Sequence, residues 1–235
     1  MDWKPVAIFR HYPTEGPGYF ATFLERHRIP WTLVRLDAGE AVPADPGVFS
    51  GLAFMGGPMS VNDDLPWIPA VLDLIRRAVA GNVPVVGHCL GAQLMSKALG
   101  GVVTRNPVKE IGWGKIRVTN ALAARDWLGD VCVFDGFHWH GETFSIPSGT
   151  VRILESAYCP NQAFVLGPHL GMQCHVEMTG DLVRSWCESG AREIAASPGP
   201  AVQTVEAIQE DLEHRITGLN LVADRLYGRW IRVLA

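Results

Sequence analysis

The chain holds five cysteines and eight histidines, and one cysteine stands where a thiol could be made reactive. Val85-Val86-Gly87-His88-Cys89-Leu90-Gly91-Ala92-Gln93 runs an apolar strand into Gly-x-Cys-x-Gly and then into a helical pattern. A lone cysteine is usually a small buried hydrophobe. A cysteine on a strand-to-helix turn is instead the thiol version of a nucleophile elbow. Gly87 and Gly91 remove side chains that would collide across such a turn. The free N–H groups and the dipole at the helix start favour thiolate over thiol. The Leu90 N–H points to where a carbonyl oxygen would gain charge. This nucleophile needs a histidine as base, held by a third group. His175 ends the apolar run 170–174, and Glu177 follows two positions later. Alternate residues of an extended segment share a face, so the carboxylate can fix the imidazole's tautomer. His88 abuts Cys89 but should point to the other side of the strand end. His11, His27 and His214 lie in polar surroundings and read as solvated. Cys89, His175 and Glu177 therefore form the candidate catalytic set.

These residues need elements to bring them together. Residues 6–9 and 31–36 read as strands, with Phe20, Phe23 and Leu24 at helical spacing between them. Residues 48–55 form another apolar run, broken by Gly56-Gly57-Pro58. A helix is predicted over 67–80 from Val71, Leu72, Ile75 and Val79. A strand over 83–86 and a helix over 92–99 follow, the latter stopped by Gly100-Gly101. Strands alternating with helices imply βαβ units and a mostly parallel central sheet flanked by helices, an α/β fold. From 102 to 177 the texture changes to short apolar runs between turn residues (114–118, 131–134, 143–146, 151–154, 163–166 and 170–174). These read as added strands and hairpins of the same domain. A helix over 181–187 comes next, then the breaker Ser197-Pro198-Gly199-Pro200. Beyond it Val205, Ile208, Leu212, Ile216, Leu219, Val222 and Leu226 make one apolar stripe in a C-terminal helical segment over 201–230. Such a stripe ordinarily packs on its own core; the competing reading has it dock a partner subunit. One domain is expected over 1–235.

Three motifs, in order, resemble the class I (triad-type) glutamine amidotransferases. Gly87-His88-Cys89-Leu90-Gly91-Ala92-Gln93 resembles that family's nucleophile motif. His175-Val176-Glu177 is similar to its second motif, with Val176 where a proline usually stands. Gly56-Gly57-Pro58-Met59-Ser60 resembles its glycine turn. The likeness covers residues 5–182 and is nearest to stand-alone proteins similar to the amidotransferase domain of GMP synthase. Lys109-Glu110-Ile111-Gly112-Trp113 and Asn161-Gln162-Ala163-Phe164 fit that subgroup. The resemblance implies a flavodoxin-like fold and hydrolysis of a γ-glutamyl amide through a thioester on Cys89. It implies that the Leu90 and Gly57 amides hold the oxyanion, and that Gly56 and Gln93 help bind substrate. Phe137-His138-Trp139-His140-Gly141-Glu142 resembles a family loop usually containing Ser-His-x-Asp. His140 then aligns with the family histidine, and Trp139 replaces a small serine. Trp139 either packs or reshapes the substrate pocket.

Composition narrows the classes. Hydrophobic residues make up 48% and charged residues 19%, with a formal net charge of -4 and a pI near 6.0. A globular chain results, without the basic face that nucleic acid requires. No apolar run is long enough for a membrane span. Met1-Asp2-Trp3-Lys4-Pro5 carries no basic, then apolar, leader. Scattered cysteines without CxxC fit free thiols in a cytoplasmic setting. Cys174 and His175 are adjacent, which is poor ligand spacing, so no metal and no cofactor are expected. No GxxxxGK[ST] loop is present. Two enzyme readings follow: a glutaminase supplying ammonia to a separate synthetase subunit, or a free-standing hydrolase of γ-glutamyl peptides or amines. A third keeps the scaffold as a non-catalytic binding module. Eight tryptophans are compatible with a homodimer.

Overall fold

The computed structural model describes residues 4–234. Met1, Asp2 and Trp3, on which part of the leader reading rests, lie outside the described residues. The chain order is β1 (Val6–Arg10), α1 (Gly18–Arg26), β2 (Trp31–Arg35), β3 (Gly51–Phe54), α2 (Ile68–Ala80), β4 (Val85–His88) and α3 (Leu90–Ala98). Then come β5 (Val103–Val118), α4 (Ala121–Leu128), β6 (Val133–Phe144), β7 (Val151–Ser156), β8 (Ala163–Leu166) and β9 (His169–Met172). The chain continues through α5 (Gly180–Ala196), α6 (Val205–Gln209) and α7 (Leu212–Ile231).

All nine strands join one sheet in the order β2-β1-β3-β4-β9-β8-β7-β5-β6. The βαβ reading holds for β1 to β4, and β9 adds to β4 in parallel. The expectation of a mostly parallel sheet is corrected beyond β9. β8, β7, β5 and β6 all pair antiparallel, over more residues than the parallel half. The cause is local. Short connections such as Gly167-Pro168, where Leu166 pairs with His169, can only return the chain antiparallel. The run at 114–118 is part of the long β5, and the run at 131–134 enters the long β6 only from Val133; the β5–β6 register shifts between Arg105 and Glu110.

The parallel strands are buried on both faces, which is why they read as continuous apolar runs. Along β1, Val6 and Ile8 face the core cluster under α1, α5 and α7. Ala7 and Phe9 face the one under α2 and α3. The C-terminal stripe is buried in the first cluster: Ile208, Leu212, Ile216, Leu219, Val222 and Leu226 pack on the chain's own core. It belongs to two helices, because Asp211 takes a left-handed conformation (φ 51°) between α6 and α7. α4 escaped the sequence reading; it is short, capped by Asn120, and buries little beyond Ala124, Trp127 and Leu128.

Candidate active site

The carboxyl ends of β4 and β9 lie side by side, with His88 paired to Met172. Ligand sites in such sheets open at these strand ends. Cys89 follows β4 directly and is held by its N–H donating to Met172 O at 2.7 Å. Its backbone (φ 49°, ψ −107°) is one that non-glycine residues avoid. That strain keeps the thiol at the mouth of the turn. The turn closes because a side chain on Gly87 would meet the Gly91 carbonyl carbon at 2.6 Å, and one on Gly91 would strike Phe54 O. Leu90 is the first residue of α3, so its N–H has no intrahelical acceptor. A Cβ on Gly57 would meet Leu90 Cδ2 at 2.8 Å, so the two expected oxyanion residues are neighbours.

His175 is anchored from β6, its N–H donating to Phe137 O at 2.9 Å. The Tyr19 N–H donates to Glu177 O at 2.7 Å, fixing the segment's far end. Between them His175 Nδ1 meets Glu177 Oε1 at 2.6 Å, the side-by-side pairing expected from alternation. The Trp186 ring stands edge-on to the imidazole, centroids 4.9 Å apart and planes at 89°. Cys89 and His175 line one cavity of about 900 Å³.

Burial dominates the electrostatics. It opposes charge on His175, but the Glu177 carboxylate outweighs it and raises the imidazole well above its usual range. Burial likewise pushes Glu177 up, yet its histidine neighbours bring it down to about 2. His88 acts on it most strongly and His175, bonded at 2.6 Å, comes next, while burial lowers His88 itself. His88 Nε2 bonds Tyr227 Oη at 2.8 Å and lies 3.8 Å from Glu177 Oε2, behind the candidate catalytic set. The thiol is close enough to the His175 ring to add to its rise. Nε2 itself makes no hydrogen bond with a described residue. Such contacts commonly tighten only when substrate binds.

The other expected residues are also here, with some changes of partner. Gln93 lines the cavity, and its Nε2 donates to Gln173 Oε1 at 3.1 Å. Gln173 Nε2 in turn reaches Cys89 Sγ at 3.3 Å. Gln173 went unremarked in the sequence, although it shares the alternating face of His175 and Glu177 and is a polar residue in an apolar run. Trp139 both packs and shapes the cavity. Its carbonyl lies 3.9 Å from the sulfur, and its Nε1 donates to Glu193 Oε2 at 2.9 Å on α5. His140 lines the cavity too, but both ring nitrogens face protein acceptors, Glu142 O at 2.9 Å and Glu110 Oε2 at 3.1 Å. Its main service is to hold β6. Gly56 sits between Glu15 and His175, against which a Cβ would meet Glu15 Oε2 at 2.6 Å and His175 Cε1 at 3.3 Å. Glu15 and Trp186 were also missed.

His11 is corrected. It is buried at 2% exposure, and its Nδ1–H donates to Met55 O at 3.0 Å. The polar loop after β1 lines the cavity, and His11 itself packs against Phe54 and Trp67. His27 and His214 are exposed as expected. Glu110, His140 and Cys159 could geometrically hold a metal. Glu110 accepts from Ser156, Gln162 and His140, while Gln162 Oε1 finds no partner among the described residues.

Comparison with known proteins gives the family. A family model described as glutamine amidotransferase class-I matches residues 24–212. The glutamine amidotransferase-like protein YfeJ of Salmonella typhimurium is 31% identical over 198 residues, 80% of this chain and 82% of that protein. The GMP synthase [glutamine-hydrolyzing] of Paraburkholderia phymatum is 29% identical over 140 residues, 55% of this chain but 25% of that protein. A crystal structure of a glutamine amido transferase from Methylobacillus flagellatus superposes with a TM-score of 0.98 at 48% identity, covering 100% of this chain and 96% of the other. The chain belongs to the class-I glutamine amidotransferase family.

Proposed function

We propose that this protein hydrolyses γ-glutamyl amides through a thioester on Cys89. Cys89 Sγ attacks the amide carbon as its proton passes to His175 Nε2. Glu177 holds Nδ1 and stabilises the imidazolium. The Leu90 and Gly57 N–H groups receive the charge gathering on the carbonyl oxygen. His175 then protonates the departing nitrogen, and water, activated by the same ring, cleaves the thioester to release glutamate. Gln173 sets the sulfur's resting position, and Gln93 holds Gln173. The observation that carries the reading is the opening of Cys89 and a Glu177-bound His175 into one cavity.

Glutamine is the simplest substrate, and a separate synthetase subunit would take its ammonia. The cavity favours a second reading. At about 900 Å³ it lies high in the ~300–1,000 Å³ range of sites for drug-sized ligands, which leaves room for a leaving group larger than ammonia. γ-Glutamyl peptides or amines fit that space. Ammonia release from glutamine, measured against amine release from γ-glutamyl compounds, separates the readings. A preference above about tenfold, or ~1.4 kcal/mol in transition-state binding, decides between them. Cys89→Ala should abolish both reactions while the fold persists, and full activity in that variant would refute the assignment.

A further inference from the structure

The mechanism leaves one acid of the cavity without a task and without a hydrogen-bond partner among the described residues. Glu15 lies on the loop between β1 and α1 and projects its carboxylate into the cavity that Cys89 and His175 line. The carboxylate and the His175 ring flank the same point beside Gly56. The loop is pinned: Glu15 N–H donates to Tyr12 O at 3.0 Å, and Trp186 Nε1–H donates to Thr14 O at 2.9 Å. Among the described residues, no hydrogen-bond donor holds this carboxylate.

The cavity's other acids are engaged. Glu193 takes Lys109 Nζ at 2.7 Å and Trp139 Nε1 at 2.9 Å. Glu142 accepts from Ser60 Oγ at 3.1 Å, and Asp63 accepts from Ser60 N at 2.9 Å. Arg105 is exposed at the rim, opposite Glu142 in the β5–β6 register.

His175 must protonate the departing nitrogen, so the leaving group lies against the ring edge that Glu15 shares. Trp186 and Trp139 stand beside that edge, with ring centroids 6.0 Å apart. A carboxylate next to aromatic faces is a lining suited to an alkylammonium. We propose that Glu15 selects γ-glutamyl substrates whose leaving amine carries a second, positively charged nitrogen, as a diamine does, over those whose leaving group carries a carboxylate. The inference rests on the γ-glutamyl hydrolase reading above. The reaction is a hydrolysis: water adds across the C–N bond, and glutamate and the diamine leave.

Electrostatics agree with the geometry. Burial pushes Glu15 up to about 7, with His175 drawing it down and Glu177 pushing it up. A docked ammonium supplies the missing counter-charge and keeps the carboxylate ionised.

The test is kcat/KM at about pH 8, where the acid is ionised, for the γ-glutamyl amides of diaminobutane and ethylamine and for γ-glutamylglycine. The wild type should favour the diamine compound over the glycine compound by about tenfold or more, with the neutral ethylamide between. Glu15→Gln should bring that ratio within about threefold, and Glu15→Lys should invert it. A wild type that prefers γ-glutamylglycine, or shows no preference, overturns the proposal without recourse to any variant. An unchanged ratio in Glu15→Gln, or an equal loss on all three compounds, reduces Glu15 to a structural role and also overturns it. If the wild type hydrolyses the compounds without this pattern, the hydrolase reading stands and only the selectivity falls. If it hydrolyses none and Cys89 resists an electrophilic glutamine analogue, both fall.

Discussion

In the proposed mechanism His175 works at both nitrogens, and Glu177 decides which one is free. With Nδ1 held at 2.6 Å, Nε2 is the edge left to accept the thiol proton in that proposal. Glu177→Gln keeps the shape but offers the ring an amide without charge. The variant should lose roughly 10²–10⁴-fold in kcat/KM, the range for losing base orientation. Steady-state kinetics check this, and a loss below about threefold would mean that Glu177 is a spectator. Cys89, His175 and Glu177 were legible because elbow glycines and an alternating His-x-Glu are local patterns. Gln173 belonged to the same alternation and was passed over because glutamine is no usual catalytic type. Glu15 and His11 were hidden for a different reason. His11 is covered by Phe54 and Trp67, and Glu15 is carried by the β1–α1 loop to Gly56 and His175, and no spacing along the chain announces either contact.

Among the elements, the β4–α3 turn has the least tolerance. Gly91 lies so close to Phe54 O that any side chain must displace β3 or α3. Gly91→Ala should cost roughly 1–3 kcal/mol, the usual penalty of overpacking. Chemical denaturation measures it, and an unchanged midpoint would show that the strand yields freely. Activity should also fall, because β3 leads directly into the turn that holds Gly56 and Gly57. The elements were read well where periodicity was strong: α2 begins within a residue of its expected start, and β8 spans the predicted run. Strand direction was less legible. Residues 102–177 announced strands and turns, but whether a strand returns parallel or antiparallel is set by connection length and pairing partner. The long β5–β6 ribbon and α4 between them show the cost of reading short runs separately.

Across the whole molecule, the C-terminal helices close the layer behind the catalytic set. Trp230 is fully buried and covers Gly51 and Phe20, and Tyr227 supports His88. Trp230→Ala should cost about 3–5 kcal/mol, as large core truncations do. A loss under about 1 kcal/mol by denaturant titration would mean that α7 is a loosely attached appendage. The stripe on these helices was visible in the sequence; that it serves the chain's own core is a matter of what lies opposite. Stability should also fall with pH. Burial lowers His11, His138 and His169 to about 4, and lowers His88 as well. Below their ordinary 6.5 the unfolded chain binds protons that the folded one refuses, so stability drops down to about 4. Glu15, raised to about 7, opposes this, since its contribution is complete below 4.5 and is lost as pH rises through 7. His175 adds no slope below 6.5, where both states hold its proton. Four groups against one predict a lower thermal midpoint at the acid end of this window, and a flat or rising midpoint would contradict the burial of these rings. No helix among the described residues is long and apolar enough to cross a membrane.

The central claim, that a thiol at the β4–α3 turn is the nucleophile toward γ-glutamyl groups, is tested most directly by intact-mass and peptide mapping after exposure to an electrophilic glutamine analogue. The account predicts a single adduct on Cys89, blocked by excess γ-glutamyl substrate and absent from Cys89→Ala. Modification spread over the other cysteines, or an untouched Cys89, would contradict it.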